Sequence, residues 1–412
     1  MVERVGDKIT VTEQDGDFVA ELSASRLAAL KSIKFQGDEL LRGLRWTIGA
    51  MSDEPGLVRR SKEYHKAGMS CVETEGWLPF GREPNLTQQI RFSAGRARFT
   101  SDFVANGEAI SRHFSVGSFL LPGKWESMFV VPAAQHLVDG GKPHERQIPK
   151  WDGKDIMIGH WHRPPLSLVF KRKSGIRLEV GTGSDVFRWE QNMGYHPEHG
   201  SYKVTLTQAG LEVSREPLAC CEDFTPEGRP FRYTWHLAWD KIGQRSSPPE
   251  HEVIQAQIAR NGHDLEWEKV KKAFAAPQKE DGKPRFLVVD IMDFLWEDTC
   301  KRCPSPQAFA AELVAPEPCW MTSPVEKKLK NLVRKLVEIP GVGGLIFRKV
   351  SPGICYHPSH VDKKNPMGVA HWDIGGMMDF AAWARQACRD KFEVYAEAAE
   401  GWDIPAMNTL FD

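Results

Sequence analysis

The chain has no excess of charge of either sign: 54 Lys and Arg stand against 55 Asp and Glu in 412 residues. A broad basic field that would draw in nucleic acid is missing, and so is an acidic tail, so no nucleic-acid partner is expected. Long apolar runs are also lacking. No stretch approaches the roughly 18 apolar residues of a membrane span, and the opening Met1-Val-Glu-Arg-Val-Gly-Asp-Lys8 is polar rather than signal-like. These absences predict a soluble, cytoplasmic protein that engages no membrane. Cysteine is sparse, 8 residues, which suits reduced thiols and not a disulfide scaffold. Tyrosine is scarce as well, 6 against 14 Trp, and the surplus of Trp serves core filling and flat contact surfaces. A chain this long buries large cores without staples and is expected to divide into about two or three domains.

What is present is, first, a series of short β-rich runs. Lys8 to Thr12, Phe18 to Leu22, Leu30 to Phe35, Gln89 to Phe92, Arg96 to Val104, Ala109 to Val116 and Met128 to Val131 alternate or are bounded by Gly, Pro, Asn or Asp. The same holds for Ser167 to Phe170, Ile176 to Val180, Lys203 to Thr207, Leu211 to Arg215 and Arg229 to Trp239. Hairpin turns are expected at Val104-Ala-Asn-Gly-Glu108, at Thr207-Gln-Ala-Gly-Leu211 and at Lys173-Ser-Gly175. So many antiparallel strands with few helices between them predict an all-β sandwich over residues 1–245. Lys171-Arg-Lys173 reads as a charged guard on a sheet edge.

After Trp239 the pattern changes. A turn cluster, Arg245 to Glu250, opens an expected helical segment from Glu252 to Phe274, and Ala276 to Pro284 is a polar linker; together they make a connector over residues 246–284. Beyond it, strand Phe286 to Ile291, helix Pro306 to Val314, helix Pro324 to Glu338, strand Gly344 to Val350 and helix Gly376 to Cys388 predict a small α/β domain over residues 285–412, with parallel pairing. In the Pro324 helix, Ser323 is the expected cap, Glu326 completes a capping box, and Val325, Leu329, Leu332, Val333 and Leu336 form one apolar stripe.

Chemistry gathers between His160 and Gly200. His160 and His162 are two apart, so on a strand they share a face while Trp161 points away. They serve as an acid and base or stand as solvated side chains. Glu179 lies between apolar Leu178 and Val180, where an unpaired carboxylate is costly; it is paired with an arginine across the sheet or carries a raised pKa. Glu190 is a second carboxylate, and Trp189 beside Arg188 offers a plane on which the C–H face of a sugar ring can stack. Tyr195 and His196 are loop residues, and His236 lines the same strand face as Thr234. Gly181 and Gly183 permit close backbone approach, but the phosphate-binding helix fingerprint is lacking. In the C-terminal part, His357, His360, Asp362, His371 and Asp373 are ligand types for a divalent metal, although their spacing is not that of a helix-borne pair; a loop tied by side-chain hydrogen bonds is the plainer reading, and a metal-free ligand or partner contact is a further one. Asp290 and Asp293 end a strand and are expected at the same crevice. Cys300 and Cys303, with Cys319 and Cys355, have ligand types for zinc but not paired-knuckle spacing; Cys220 and Cys221 read as buried thiols.

The opening, from Asp15-Gly-Asp-Phe-Val through Ala28-Ala-Leu-Lys-Ser to Gly37-Asp-Glu-Leu-Leu41 and the long antiparallel run after it, resembles galactose mutarotase-like β-supersandwich proteins over residues 1–245. The likeness is one of rhythm and transfers no individual residue. It implies a sugar-binding cleft on a concave sheet with His and carboxylate groups in it. The expected function is a carbohydrate-active enzyme with the acid/base chemistry of a glycoside hydrolase or sugar epimerase, with Glu179, His160, His162 and Glu190 catalytic and Trp189, Trp161, Tyr195, His196 and His236 binding a carbohydrate. Two alternatives stand beside it: a non-catalytic sugar-binding or assembly protein, and a metal-dependent hydrolase with its site in the C-terminal domain. Self-association is compatible with any of them, and no cofactor other than that divalent metal is suggested.

Overall fold

In a computed structural model of the chain, the described residues are 1–13, 17–26, 30–48, 57–66, 68–77, 86–93, 95–104, 114–132, 145–148, 156–158, 165–182, 202–214, 230–244, 249–259, 264–278, 282–295, 319–320, 322–350, 354–355, 371–372, 374–388, 392–398 and 405–408. The chain divides into two compact units, the first built on Met1–Ile242 and the second beginning at Gly243. Among the described residues no helix is long and apolar enough to cross a membrane.

The first unit is a sandwich of two nine-stranded antiparallel sheets. Its strands are β1 (Val2–Val5), β2 (Lys8–Thr12), β3 (Phe18–Ser23), β4 (Leu30–Phe35), β5 (Asp38–Ile48), β6 (Leu57–Lys66), β7 (Met69–Trp77), β8 (Leu86–Ser93) and β9 (Arg96–Val104). There follow β10 (Phe114–Pro122), β11 (Ser127–Pro132), β12 (Glu145–Gln147), β13 (Ile156–Ile158), β14 (Pro165–Lys171), β15 (Ile176–Thr182), β16 (Tyr202–Thr207), β17 (Gly210–Ser214) and β18 (Pro230–Lys241). One sheet runs β1-β2-β3-β4-β5-β10-β17-β16-β13 and the other β12-β11-β14-β15-β18-β9-β8-β7-β6.

Period-two alternation sends one set of side chains from each sheet into a shared core. Ile9, Val11, Phe18 and Phe119 of the first sheet and Val72, Phe92, Phe99, Leu178, Val180, Trp235 and Trp239 of the second belong to it. Phe18 stacks on Trp239 with ring centroids 4.9 Å apart, and Phe119 meets Trp235 edge-on at 5.0 Å. Tight turns hold the register. At the β4–β5 hairpin, Phe35 faces Asp38 across two residues, Gln36 and Gly37, both at positive φ, which is the loop geometry that matches strand twist. The expected Thr207–Leu211 turn joins β16 to β17, and there Gly210 passes so close to β10 that a Cβ would lie 2.1 Å from the Leu121 carbonyl oxygen.

Lys171-Arg-Lys173 does not guard an edge. Strand β14 is interior, between β11 and β15, and Arg172 instead lies over the Trp125 ring at 4.6 Å while donating to the carbonyls of Glu39 at 2.6 Å and Pro122 at 2.8 Å. A guanidinium has donors enough to tie three segments together, which local charge does not reveal.

The second unit holds a parallel four-stranded sheet, β19 (Glu252–Gln255), β20 (Arg285–Asp290), β21 (Val342–Val350) and β24 (Glu393–Ala398), in the order β19-β20-β21-β24. A two-stranded ladder pairs β22 (Ile354–Cys355) with β23 (His371–Trp372). The helices are α1 (Trp267–Ala275), α2 (Ile291–Phe294), α3 (Ser323–Val337), α4 (Ile374–Cys388) and α5 (Pro405–Asn408). In β20 the first five residues are all buried, the mark of a parallel strand covered on both faces.

The helical segment expected from Glu252 to Phe274 is corrected here: its first four residues are the edge strand β19, and helix begins only at Trp267. The strand is short and half-exposed, so its four residues carried too little alternation to be read, and its pairing with β20 decides it. Arg285 ties strand to helix, meeting Glu252 at 2.8 Å and donating to the carbonyls of Phe274 in α1 at 2.9 Å and of its C-cap Ala276 at 2.7 Å. The cap of α3 also shifts by one residue. Thr322, not Ser323, stands at the N-cap, its hydroxyl accepting from the Val325 N–H at 3.4 Å and donating to the Cys319 carbonyl at 3.0 Å. The expected apolar stripe of this helix is buried as read.

Candidate functional site

The sandwich core takes Leu178 and Val180 of β15 and Trp235, Leu237 and Trp239 of β18, so the residues between them point to the other face of the second sheet. That face carries Arg177 and Glu179 from β15, Thr234, His236 and Asp240 from β18, and Arg96 and Arg98 from β9. Register brings them together: Glu179 stands opposite Ala238, His236 opposite both Gly181 and Arg98, and Ala238 opposite Arg96. The small residues Gly181 and Ala238 separate the larger polar ones.

Apart from the half-buried Arg98, these groups are polar yet buried. Glu179 and Arg96 are each 1% exposed and His236 is 7% exposed. Buried charges must be paired or hydrogen-bonded. Arg177 does this with Asp240 through a two-pronged ion pair, Nε to Oδ1 at 2.8 Å and Nη2 to Oδ2. Glu179 accepts from the buried Ser167 hydroxyl at 2.5 Å. The arginine closest in sequence is thus engaged with Asp240, and a serine on β14 is one partner of Glu179. Burial pushes the His236 pKa well below its ordinary value, and the nearby charges of Arg98 and Arg96 push it further the same way. Its imidazole is therefore neutral at neutral pH.

Of the residues singled out in the sequence, the structure brings Glu179 and His236 to one face, on adjacent strands and diagonal to one another. His160, Trp161, His162, Trp189, Glu190, Tyr195 and His196 lie outside the described residues. Arg96, Arg98, Ser167 and the Arg177–Asp240 pair were not singled out. For Arg96 and Arg98 a signal existed, since they alternate with the core residues Ala97 and Phe99; for Ser167 and Asp240 it did not, because cross-strand register chose the partners.

His357, His360, Asp362 and Asp373 are likewise outside the described residues, as are Cys300 and Cys303. The backbone of His371 lies in β23 directly opposite Cys355. Asp290 accepts from the Met292 N–H at 3.0 Å, capping α2, and meets the Lys349 ammonium at 2.5 Å, which raises the lysine's pKa. Cys319 is a buried thiol outside any disulfide. Among the described residues no group of three or more His, Cys, Asp or Glu is arranged to hold a metal ion.

No protein-family model matches the chain, and no curated protein matches it in sequence. Solved structures align with it at low identity. The galactosidase domain of the alpha-galactosidase-sucrose kinase AgaSK aligns over 100% of this chain and 74% of that one, at 7% identity and a TM-score of 0.43. The GH36 alpha-galactosidase AgaB from Geobacillus stearothermophilus aligns over 96% and 72%, at 9% identity and a TM-score of 0.40. A glycoside hydrolase family 97 enzyme from Pseudoalteromonas sp. strain K8, solved with acarbose, aligns over 95% and 66%, at 10% identity and a TM-score of 0.37.

Proposed function

We infer that this protein is a carbohydrate-active enzyme whose ligand face is the polar face of the second sheet, with Glu179 as the general acid. One observation carries the reading: a buried carboxyl held by a serine hydroxyl shares a sheet face with a neutral buried histidine and two arginines. A sugar needs several hydrogen-bonding groups converging on its hydroxyls, and such a face supplies donors and acceptors together. Acid/base chemistry needs a carboxyl whose environment sets its proton affinity, and Glu179 is shut off from water. His236, kept neutral, is positioned as an acceptor or as a hydroxyl ligand beside it. Trp189, Glu190, His160 and His162 complete this reading as the stacking plane, the second carboxylate and the further acid/base pair, and the spacing of Glu179 and Glu190 would separate retention, at about 5 to 5.5 Å, from inversion, at about 6.5 to 9.5 Å.

The same burial favours a second reading, in which the protein binds a sugar without transforming it. At 1% exposure Glu179 is already held in a closed hydrogen bond, as suits a residue that shapes the face. The two readings part on one substitution. Glu179→Gln keeps the shape and removes the ionisable proton. Assayed against a panel of aryl glycosides and reducing sugars, it should lose two or more decades of turnover, about 10²-fold or beyond, with sugar affinity nearly unchanged. Wild-type turnover in Glu179→Gln refutes the enzyme reading, and a wild-type chain that binds sugars from the panel without turning any over supports the second.

A further inference from the structure

The polar face of the second sheet does not end at β9. By register, the row that holds His236 and Arg98 runs on through Arg91 of β8 and Cys71 of β7 to Tyr64 of β6. The row beside it joins Thr100, Gln89, Glu73 and Lys62. Along β7, Val72 belongs to the sandwich core and Gly76 stands opposite the core residue Leu86, so Glu73, Glu75 and Trp77 share the outer side. Burial falls off across these strands: His236 is 7% exposed, whereas Tyr64, Glu73, Glu75, Trp77 and Gln89 are only half-buried.

Two features set this outer half apart from an ordinary solvated face. The first is a fixed hydrogen-bond set. Arg91 Nε donates to Gln89 Oε1 at 2.7 Å, which turns the Gln89 amide N–H groups to the Tyr64 hydroxyl at 2.7 Å and to Glu73 Oε2 at 3.3 Å. The second is Trp77. Trp125, Trp235, Trp239 and Trp320 are at most 3% exposed, while Trp77 keeps part of its indole in water on a polar face, where the gain from apolar burial is forgone. An aromatic plane near fixed donors and acceptors suits the C–H face and the hydroxyls of sugar rings. Trp77 lies four residues beyond Glu73, about 13 Å along an extended strand, and β7 lies three strands from β18, about 14 Å across the sheet. The patch is thus too far from Glu179 and His236 to meet the same ring, and long enough to meet others.

We propose that the outer half of this face binds the distal units of an oligosaccharide, with Trp77 stacking on one ring and Gln89, Tyr64 and Glu73 bonding to the hydroxyls of the next. The proposal rests on the reading of the sheet face as a sugar site and adds that the ligand is a chain of several units rather than a single sugar.

An array of immobilised mono- to pentasaccharides of glucose, galactose, mannose, xylose and arabinose, probed with the full chain, identifies the oligosaccharide held best. Titration calorimetry then compares that oligosaccharide with its monosaccharide. The oligosaccharide should bind about tenfold tighter or more, and Trp77→Ala should remove that gain while leaving the affinity for the monosaccharide unchanged. Trp77→Phe keeps an aromatic plane and should retain most of the gain. Gln89→Ala reads the same gain through the hydrogen-bond set, so the test stands even where Trp77→Ala lowers the melting temperature. Equal affinities for the oligosaccharide and its monosaccharide, an unchanged gain in Trp77→Ala or Gln89→Ala, or a parallel loss for both sugars overturns the proposal and leaves the reading of the inner face standing. Failure of every sugar on the array to bind overturns that reading, and the proposal with it.

Discussion

His236 shows how burial, backed by neighbouring charge, can set a side chain's chemistry. Its folded-state pKa lies well below the usual value because burial and two arginines disfavour the imidazolium, so below about pH 6.5 the unfolded chain takes up this proton first. The sign follows directly: no stability is lost to this group above about pH 6.5, and stability falls as pH drops below that, by up to about 1.4 kcal/mol per pH unit for one proton. Urea unfolding of the wild type and of His236→Gln between pH 7 and pH 5.5 should show the acid-side slope shallower in the variant by that one-proton amount. Parallel slopes in the two chains would mean that His236 titrates normally. The face position of His236 was legible in the sequence, since it alternates with Trp235 and Leu237. Its depressed pKa was not, because Arg96 and Arg98 reach it only through the pairing of β18 with β9.

At the scale of the element, α3 separates two neighbouring hydroxyls that sequence reasoning treats alike. Thr322 accepts from the Val325 N–H, whereas Ser323 is the first residue of the helix and is exposed. Thr322→Ala should therefore cost about 1 kcal/mol, the usual loss of an N-cap, and Ser323→Ala should stay within about 0.5 kcal/mol of wild type. Chemical denaturation of the pair reads this; equal losses would place the cap on both residues. The existence of the helix was legible because five apolar residues recur at its period. Its exact start was not, because the Cys319 carbonyl also recruits the Thr322 hydroxyl, a contact set by the chain preceding the helix.

For the whole molecule, every member of the large sandwich core, from Ile9 to Trp239, belongs to the first unit. Among the described residues that core takes none from the second unit, so residues 1–242 expressed alone should give a β-type circular dichroism spectrum and a single cooperative melting transition. A broad, non-cooperative melt would show that the sandwich depends on the rest of the chain. The parallel sheet of the second unit is built from strands far apart in sequence, and β19 is its clearest case: four half-exposed residues become a strand because β20 offers a parallel edge.

What the amino-acid order determined by itself was whatever depends on local period and turn chemistry. It carried the antiparallel sandwich, the change to mixed helix and strand after it, the apolar stripe of α3, and the side of the sheet on which Glu179 and His236 lie, since a period of two assigns faces without reference to any partner. Only the tertiary structure decided what those side chains meet. Ser167 donates to Glu179, Asp240 takes Arg177, Arg172 lies over the Trp125 ring, and Lys335 and Lys328 of α3 meet Trp267 and Phe294. Each of these contacts depends on the register of strands or the packing of helices distant in sequence, and register is settled by the burial of the entire core.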